Sequence, residues 1–331
     1  MTQHSSIDIH AHYFPDPYLE LIAEEGLPFG ATCSLCASKG PVIDVGELHA
    51  GPLERRFTDL EMRIADMDAQ GVYAQALSLT QPMVYWADDD LSRRLTESFN
   101  NSLIEANAAY PDRLFGLAIL PMQNPQLAIA EIDRLAGNKA IRGVYMATRI
   151  LERELSDPAF FPVYEKLEAA GLPIFLHPLN VIGFERLKPY FLTNLLGNPF
   201  DTTVAAAHLI FGGVLDRFPN LDFCLPHAGG AFPFLVGRLQ HGWTVRKECQ
   251  HLEHGPLTYL TRFYYDTISH SQESMGYLLS LVGPEQIMLG SDYCFDMGLE
   301  RPVGLITEHP DLTDSQRTLI LEGNARRLLG L

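Results

Sequence analysis

The stretch IDIHAHYFP, Ile7 to Pro15, governs how the rest of the chain is read. A short apolar run ends in two histidines two residues apart, and then in a turn. Side chains alternate along a strand, so His10 and His12 project from the same face. They stand at the exposed end of a strand whose start reads as buried. Two imidazoles on one face suit convergence on a single metal ion. From this stretch alone, two surface histidines after a strand read equally well.

Seven more β-rich runs follow: YAQALSL, LFGLAIL, IRGVYMA, LPIFLH, LDFCLPH, RFYYDTI and QIMLGSD. Between the strands lie stretches with helical spacing, at 60–70, 90–109, 126–136, 158–170, 199–218, 231–248 and 272–282. Gly71, Gly171 and Gly283 stand where helices stop. Eight strands alternating with helices in 331 residues predict an α/β fold, a (β/α)8 TIM barrel. No GxGxxG follows the first strand, as a dinucleotide-binding open sheet would have. Residues 1–331 are read as one barrel domain. From 27 to 56 the rhythm breaks, which predicts an insertion after strand 1, a small hairpin over the barrel mouth. It carries Cys33 and Cys36 as CSLC, without the second pair that a zinc site needs. The tail from Glu308 is expected to hold two short structural helices.

Composition narrows the partners. The chain is 47% hydrophobic with 18 Phe and 13 Tyr, enough for a sizeable core. Its formal charge of −17, from 24 basic and 41 acidic residues, argues against nucleic acid or an anionic membrane as partner. A small anionic substrate stays open, because a few local cations set the field of one pocket. The most apolar helical piece, VAAAHLIFGGVL, is too short to span a bilayer and contains His208. Residues 1–6 are polar and the apolar run after them is brief, so no export signal is expected. Five cysteines, an odd number, then suggest free thiols in a reducing cytoplasm.

Catalytic side chains of a barrel sit at the C-terminal ends of its strands. Strand 1 ends in His10 and His12, strand 5 in His177 (FLHP), strand 6 in His227 (PHAGG) and strand 8 in Asp292 (GSDY). Imidazole and carboxylate are good ligands for zinc and similar divalent ions. Each histidine alone reads as a core residue bonded to a carbonyl, but four histidines and an aspartate at four strand ends read as one site. A free coordination position would turn water into hydroxide near neutral pH, and an unligated histidine would shuttle a proton.

This pattern resembles the amidohydrolase superfamily, over nearly the whole chain. More narrowly, DIHAHYFP, MDAQGV, FLHP, PHAGGAFPFLVGR and MLGSDYCF are similar to the branch of 2-amino-3-carboxymuconate-6-semialdehyde decarboxylase and the aromatic-acid decarboxylases. The resemblance implies that His10, His12, His177 and Asp292 are metal ligands. It implies that His227 holds the metal-bound water and acts as acid or base, with Asp292 beside it in catalysis. Binuclear members carry a carboxylated lysine at the end of strand 4. Here that strand reads AIRGVYMATR with Lys139 ahead of it, so one ion is expected, zinc first and manganese as the alternative. Arg238, in FLVGRLQHGW, matches an arginine that reaches across a dimer interface to the substrate carboxylate, a role suited to its planar fork. The alternative is a solvated helix-surface arginine. A homodimer or higher homo-oligomer is therefore expected.

One position departs from the branch. The substrate arginine of the semialdehyde decarboxylase, counted back from MDAQG, falls on Gly51, with Arg55 and Arg56 near but out of register. That puts the exact substrate in doubt. Trp86 and Phe295 join Arg238 as expected substrate contacts, and His49, Arg55, Tyr85 and His270 are further candidates around the mouth. The function expected is metal-dependent decarboxylation of a small unsaturated or aromatic carboxylate. The alternative is hydrolysis of an amide, lactone or carbon–carbon bond by metal-bound hydroxide. No GxSxG or catalytic cysteine motif competes. A non-catalytic scaffold on this fold would be expected to lose one of the five positions, and all five are present.

Overall fold

The computed structural model describes residues 6–36 and 40–331. Eight strands form one sheet in sequence order: β1 Ile7–His12, β2 Ala74–Ser78, β3 Leu114–Ala118, β4 Ile141–Ala147, β5 Ile174–His177, β6 Phe223–Leu225, β7 Phe263–Asp266 and β8 Ile287–Met288. Neighbouring strands pair in parallel. All residues of β1, β2, β3, β5 and β6 are buried, as expected of strands covered on both faces.

β8 is only two residues long and pairs with β7. The seam to β1 is closed by loop backbone instead. Ile9 N–H donates to Leu289 O (2.9 Å), Asp292 N–H to His10 O (2.9 Å) and His12 N–H to Tyr293 O (2.6 Å). This (β/α)8 barrel therefore closes through the residues that carry the candidate ligands. Gly290 makes the approach possible, since a Cβ there would lie 2.8 Å from the Asp266 Cβ and 3.2 Å from the His10 Cβ.

Helices fill the connections: α1 Leu60–Gln70, α2 Asp89–Ala109, α3 Pro125–Leu135, α4 Phe161–Ala170, α5 Asn198–Phe211, α6 Phe232–Val245 and α7 Gln272–Val282. Local signals start several of them. Asp59, Asp88, Asn124 and Ser271 each accept a backbone N–H of the first turn. The helix expected over 199–218 breaks at Gly212 and Gly213, where Gly213 turns left-handed (φ 68°) and a separate turn, Val214–Arg217, follows. The one expected over 231–248 ends at Val245, before a 3-10 turn, Lys247–Cys249.

The insertion differs from the expected hairpin. It is a three-stranded antiparallel sheet, Ala31–Cys36, Gly40–Val45 and Leu48–Ala50, preceded by a helix, Asp16–Glu25, that the strand-first reading passed over. Pro17 in the first turn and Gly26 after the last are its sequence signals. Cys33 is a half-buried free thiol, and the side chain of Cys36 lies outside the described residues. In the tail, Asp314–Thr318 and Asn324–Leu329 are joined by a π-helical turn, Leu319–Gly323. Among the described residues no helix is long and apolar enough to cross a membrane.

Candidate metal centre

The C-terminal rim of the barrel brings four donors together. One ligand atom from each of His10, His12, His177 and Asp292 lies within 4.8 Å of all the others, and all four residues are buried. His12 Nε2 is 3.2 Å from His10 Nε2 and 3.0 Å from Asp292 Oδ1. The backbone of Asp292 is left-handed (φ 60°), in the loop whose hydrogen bonds close the barrel. Such a conformation costs energy in a non-glycine residue and is commonest at functional sites.

Each histidine is held in one tautomer by a different part of the barrel. His10 Nδ1 donates to Asp266 Oδ2 at 2.8 Å. His12 Nδ1 faces Ser78 Oγ at 3.1 Å, and that hydroxyl gives its own proton to Ala11 O, so it accepts from the ring. His177 Nδ1 donates to the Pro178 carbonyl at 2.8 Å. With all three Nδ1 protons engaged, three Nε2 lone pairs turn toward Asp292 Oδ1. Lone pairs 3.2 Å apart repel, and a cation between them reverses the sign of that interaction. Partners on the far ring nitrogen that orient the near one are the usual support of metal-binding histidines. The donor set therefore fits a divalent ion.

Electrostatics divide the three histidines: against burial, the bond to Asp266 and the charge of Asp292 raise the pKa of His10, while the other two are lowered. Burial first, and then the neighbouring imidazoles, hold His12 and His177 well below the ordinary histidine pKa, so both are neutral. Asp266 is also buried, yet its bond to His10 keeps it below the usual carboxylate range. At the end of β4, where a bridging lysine would stand, the inward group is Tyr145, whose hydroxyl lies 3.2 Å from His10 Nε2.

His227 stands beside the cluster, two residues past β6, with φ 54°. Its backbone N–H and that of Ala228 donate to Asp266 (2.9 and 2.7 Å), which fixes this strained turn. Its Nε2 is 4.0 Å from Asp292 Oδ2, and its buried Nδ1 has no partner among the described residues. Burial, followed by His10, lowers its pKa below the ordinary value. Asp292 thus turns one oxygen to the three histidines and the other to His227.

Two cavities open from this centre, of about 670 and 590 Å³, and His227 and Asp292 line both. The larger is walled by His177, by His49 of the insertion, and by Phe295, whose ring lies edge-on to His12 at 5.3 Å. His270 lines the smaller. The remaining candidates lie elsewhere. Trp86 lines neither cavity, because its ring packs on the core and its N–H is spent on Met83 O (3.1 Å). Tyr85 is buried, with its hydroxyl toward the Ala147 amide. Arg55 is exposed and paired with Asp59. Arg238 is exposed on α6 and lines neither cavity.

Asp266 is the residue that the sequence reading missed. It accepts four hydrogen bonds, from His10, His227, Ala228 and Ile268, and is fully buried. It is the last residue of β7, so the same attention to strand ends that picked out His177 would have found it.

The family described as Amidohydrolase matches residues 7–331. The 2-amino-3-carboxymuconate-6-semialdehyde decarboxylase of Dictyostelium discoideum is 31% identical to the chain, over 98% of it and 91% of the relative. The solved structure of 5-carboxyvanillate decarboxylase from Sphingomonas paucimobilis superposes with a TM-score of 0.85 at 26% identity, covering 99% of each chain. That of the 5-carboxyvanillate decarboxylase from Novosphingobium aromaticivorans, which holds manganese, gives 0.83 at 22% identity, over 100% of this chain and 98% of the other; that likeness is one of fold.

Proposed function

The chain belongs to the amidohydrolase family, and on that premise we propose that it is a metal-dependent decarboxylase of a small aromatic or unsaturated carboxylate. The metal dependence is carried by one observation: three histidines with fixed tautomers aim Nε2 at one point beside Asp292. The reaction is supported by the relative, matched over 98% of this chain, that is named as a decarboxylase.

His10, His12, His177 and Asp292 hold one ion in this reading. A divalent ion there supplies a Lewis acid that draws charge from the substrate as CO2 leaves. Three imidazoles and one carboxylate suit zinc, and metal analysis of the purified protein decides between zinc and manganese. His227 supplies the proton. The carbon–carboxylate bond breaks, its electron pair stays on the ring or alkene carbon, and that carbon takes the proton carried on His227 Nε2. The imidazole is then reprotonated from solvent through a cavity it lines. Its lowered pKa leaves a neutral ring near pH 7, so the ring first takes a proton from solvent, gives it to carbon as the imidazolium and returns to the neutral form. Phe295 packs against the substrate plane. Residues 27–56 wall the mouth of one barrel domain.

Arg238 reaches the substrate from a second copy of the chain. Its exposed place on α6, one turn from Phe234 (77% exposed), supports a homo-oligomer in which this face is covered. The test is CO2 release by metal-loaded protein across hydroxybenzoates, carboxyvanillates and carboxymuconate semialdehydes. Metal-dependent CO2 is expected from at least one class. Cleavage of amide or lactone substrates with no CO2 from any acid would favour hydrolysis instead.

A further inference from the structure

Beneath the ligand cluster runs a second polar assembly that the proposed chemistry does not use. Arg63, on α1, is fully buried. One arm of its guanidinium donates to the His12 carbonyl and to Arg56 O, and the other to Gln75 Oε1 at 3.0 Å. Its plane lies over the Tyr293 ring, 4.8 Å from the centroid. Among the described residues no carboxylate pairs with it directly. The balancing charge is Asp8, also fully buried, which Gln75 bridges through Nε2 at 3.0 Å. Asp8 in turn accepts from the backbone N–H groups of His10 (3.0 Å) and Ser291 (3.1 Å) and from the Ser291 hydroxyl.

A buried arginine with no direct partner is costly, and a core of ordinary packing would not keep one. Its contacts show what it holds. One end of the chain Arg63–Gln75–Asp8–Ser291 touches the His12 carbonyl and the Tyr293 ring. The other touches the His10 amide and the residue before Asp292. Three of the four candidate ligands lie on the two segments it joins. These segments meet where the sheet has no regular ladder, only an isolated bridge between Ala11 and Tyr293.

We propose that Arg63 is a positioning residue for the metal: through Gln75 and Asp8 it locks the ends of β1 and β8 together and so sets the spacing of His10, His12 and Asp292. This rests on the metal-centre reading above. The test is cobalt(II) binding to metal-stripped wild type and to Gln75→Leu, Arg63→Met and Arg63→Lys. Affinity is read by chelator competition, and geometry by the visible spectrum of the bound cobalt, both well below each variant's unfolding temperature. Gln75→Leu and Arg63→Met are expected to weaken cobalt binding by about 10–100-fold, the usual effect of losing an outer partner of a metal ligand, and to shift the spectrum. Arg63→Lys, which keeps the charge and some donors, is expected to recover part of both. If Arg63→Met does not fold, Gln75→Leu and Ser291→Ala carry the same expectation. Variants that bind cobalt with wild-type affinity and spectrum, and differ only in melting temperature, would overturn the proposal alone. Wild type that binds no cobalt would overturn the metal-centre reading and this proposal with it.

Discussion

Replacing Asp266 by asparagine keeps its shape and removes its charge. The consequence follows from its four donors. Oδ2 accepts from His10 Nδ1 and the His227 amide, while Oδ1 accepts from the Ala228 and Ile268 amides. An asparagine has one oxygen for these two pairs. Whichever way it turns, its NH2 group faces two buried N–H groups that have lost their acceptor. Each such loss costs about 1–3 kcal/mol, so the folded state should lose about 2–6 kcal/mol. If the amide faces His10, that ring can restore a bond only by moving its proton to Nε2, the atom aimed at the metal. Metal affinity should then fall by about 10–100-fold, or about 1.4–2.8 kcal/mol. The assays are urea unfolding of metal-stripped wild type and Asp266→Asn, and chelator competition for zinc at one pH. Unchanged stability together with unchanged zinc affinity would refute the assignment of Asp266 as the clamp on His10 and His227.

Removing His177, one of four donors, should strip the metal and abolish turnover, as metal analysis and CO2 assay of His177→Ala will check; full turnover by metal-free protein would sink the scheme. His227→Asn should keep its metal while kcat falls by about 10²–10⁴-fold, the range for a positioned acid–base group; metal loss in parallel would make His227 a ligand. Arg238→Ala should raise KM or lower kcat for an anionic substrate at full metal content, and an unchanged kcat/KM would remove Arg238 from the site. Burial, against the hydrogen bond from Ser291, pushes Asp8 up to about 6 from 3.8, so the folded chain favours its protonated form more than the unfolded chain does, while near pH 7 Asp8 still carries the charge that balances Arg63. Its contribution is most favourable below pH 3.8 and is lost as pH rises through about 6, a change of about 3 kcal/mol. In metal-stripped protein the stability of wild type relative to Asp8→Asn should fall by that amount across the interval, and a flat difference from urea titrations would reject the shift.

The sequence by itself determined the eight strands, most helix starts and the five residues at the strand ends. These rest on local physics: apolar runs for buried parallel strands, alternation that puts His10 and His12 on one face, and capping residues such as Asp59 and Asp88. Only the tertiary structure decided the rest. The tautomers of His10, His12 and His177 depend on Asp266, Ser78 and the Pro178 carbonyl, and the first two of these lie on other strands. Arg63 looks like any charged helix residue until α1 packs and sends it under Tyr293. Trp86 carries the composition of a substrate contact, but its N–H is already taken by Met83. The sequence chose the donors because strand periodicity is local. The aim of His10 and His12 was left to the fold, because Asp266 and Ser78, which orient their imidazoles, are distant in the chain and meet them only when the barrel closes.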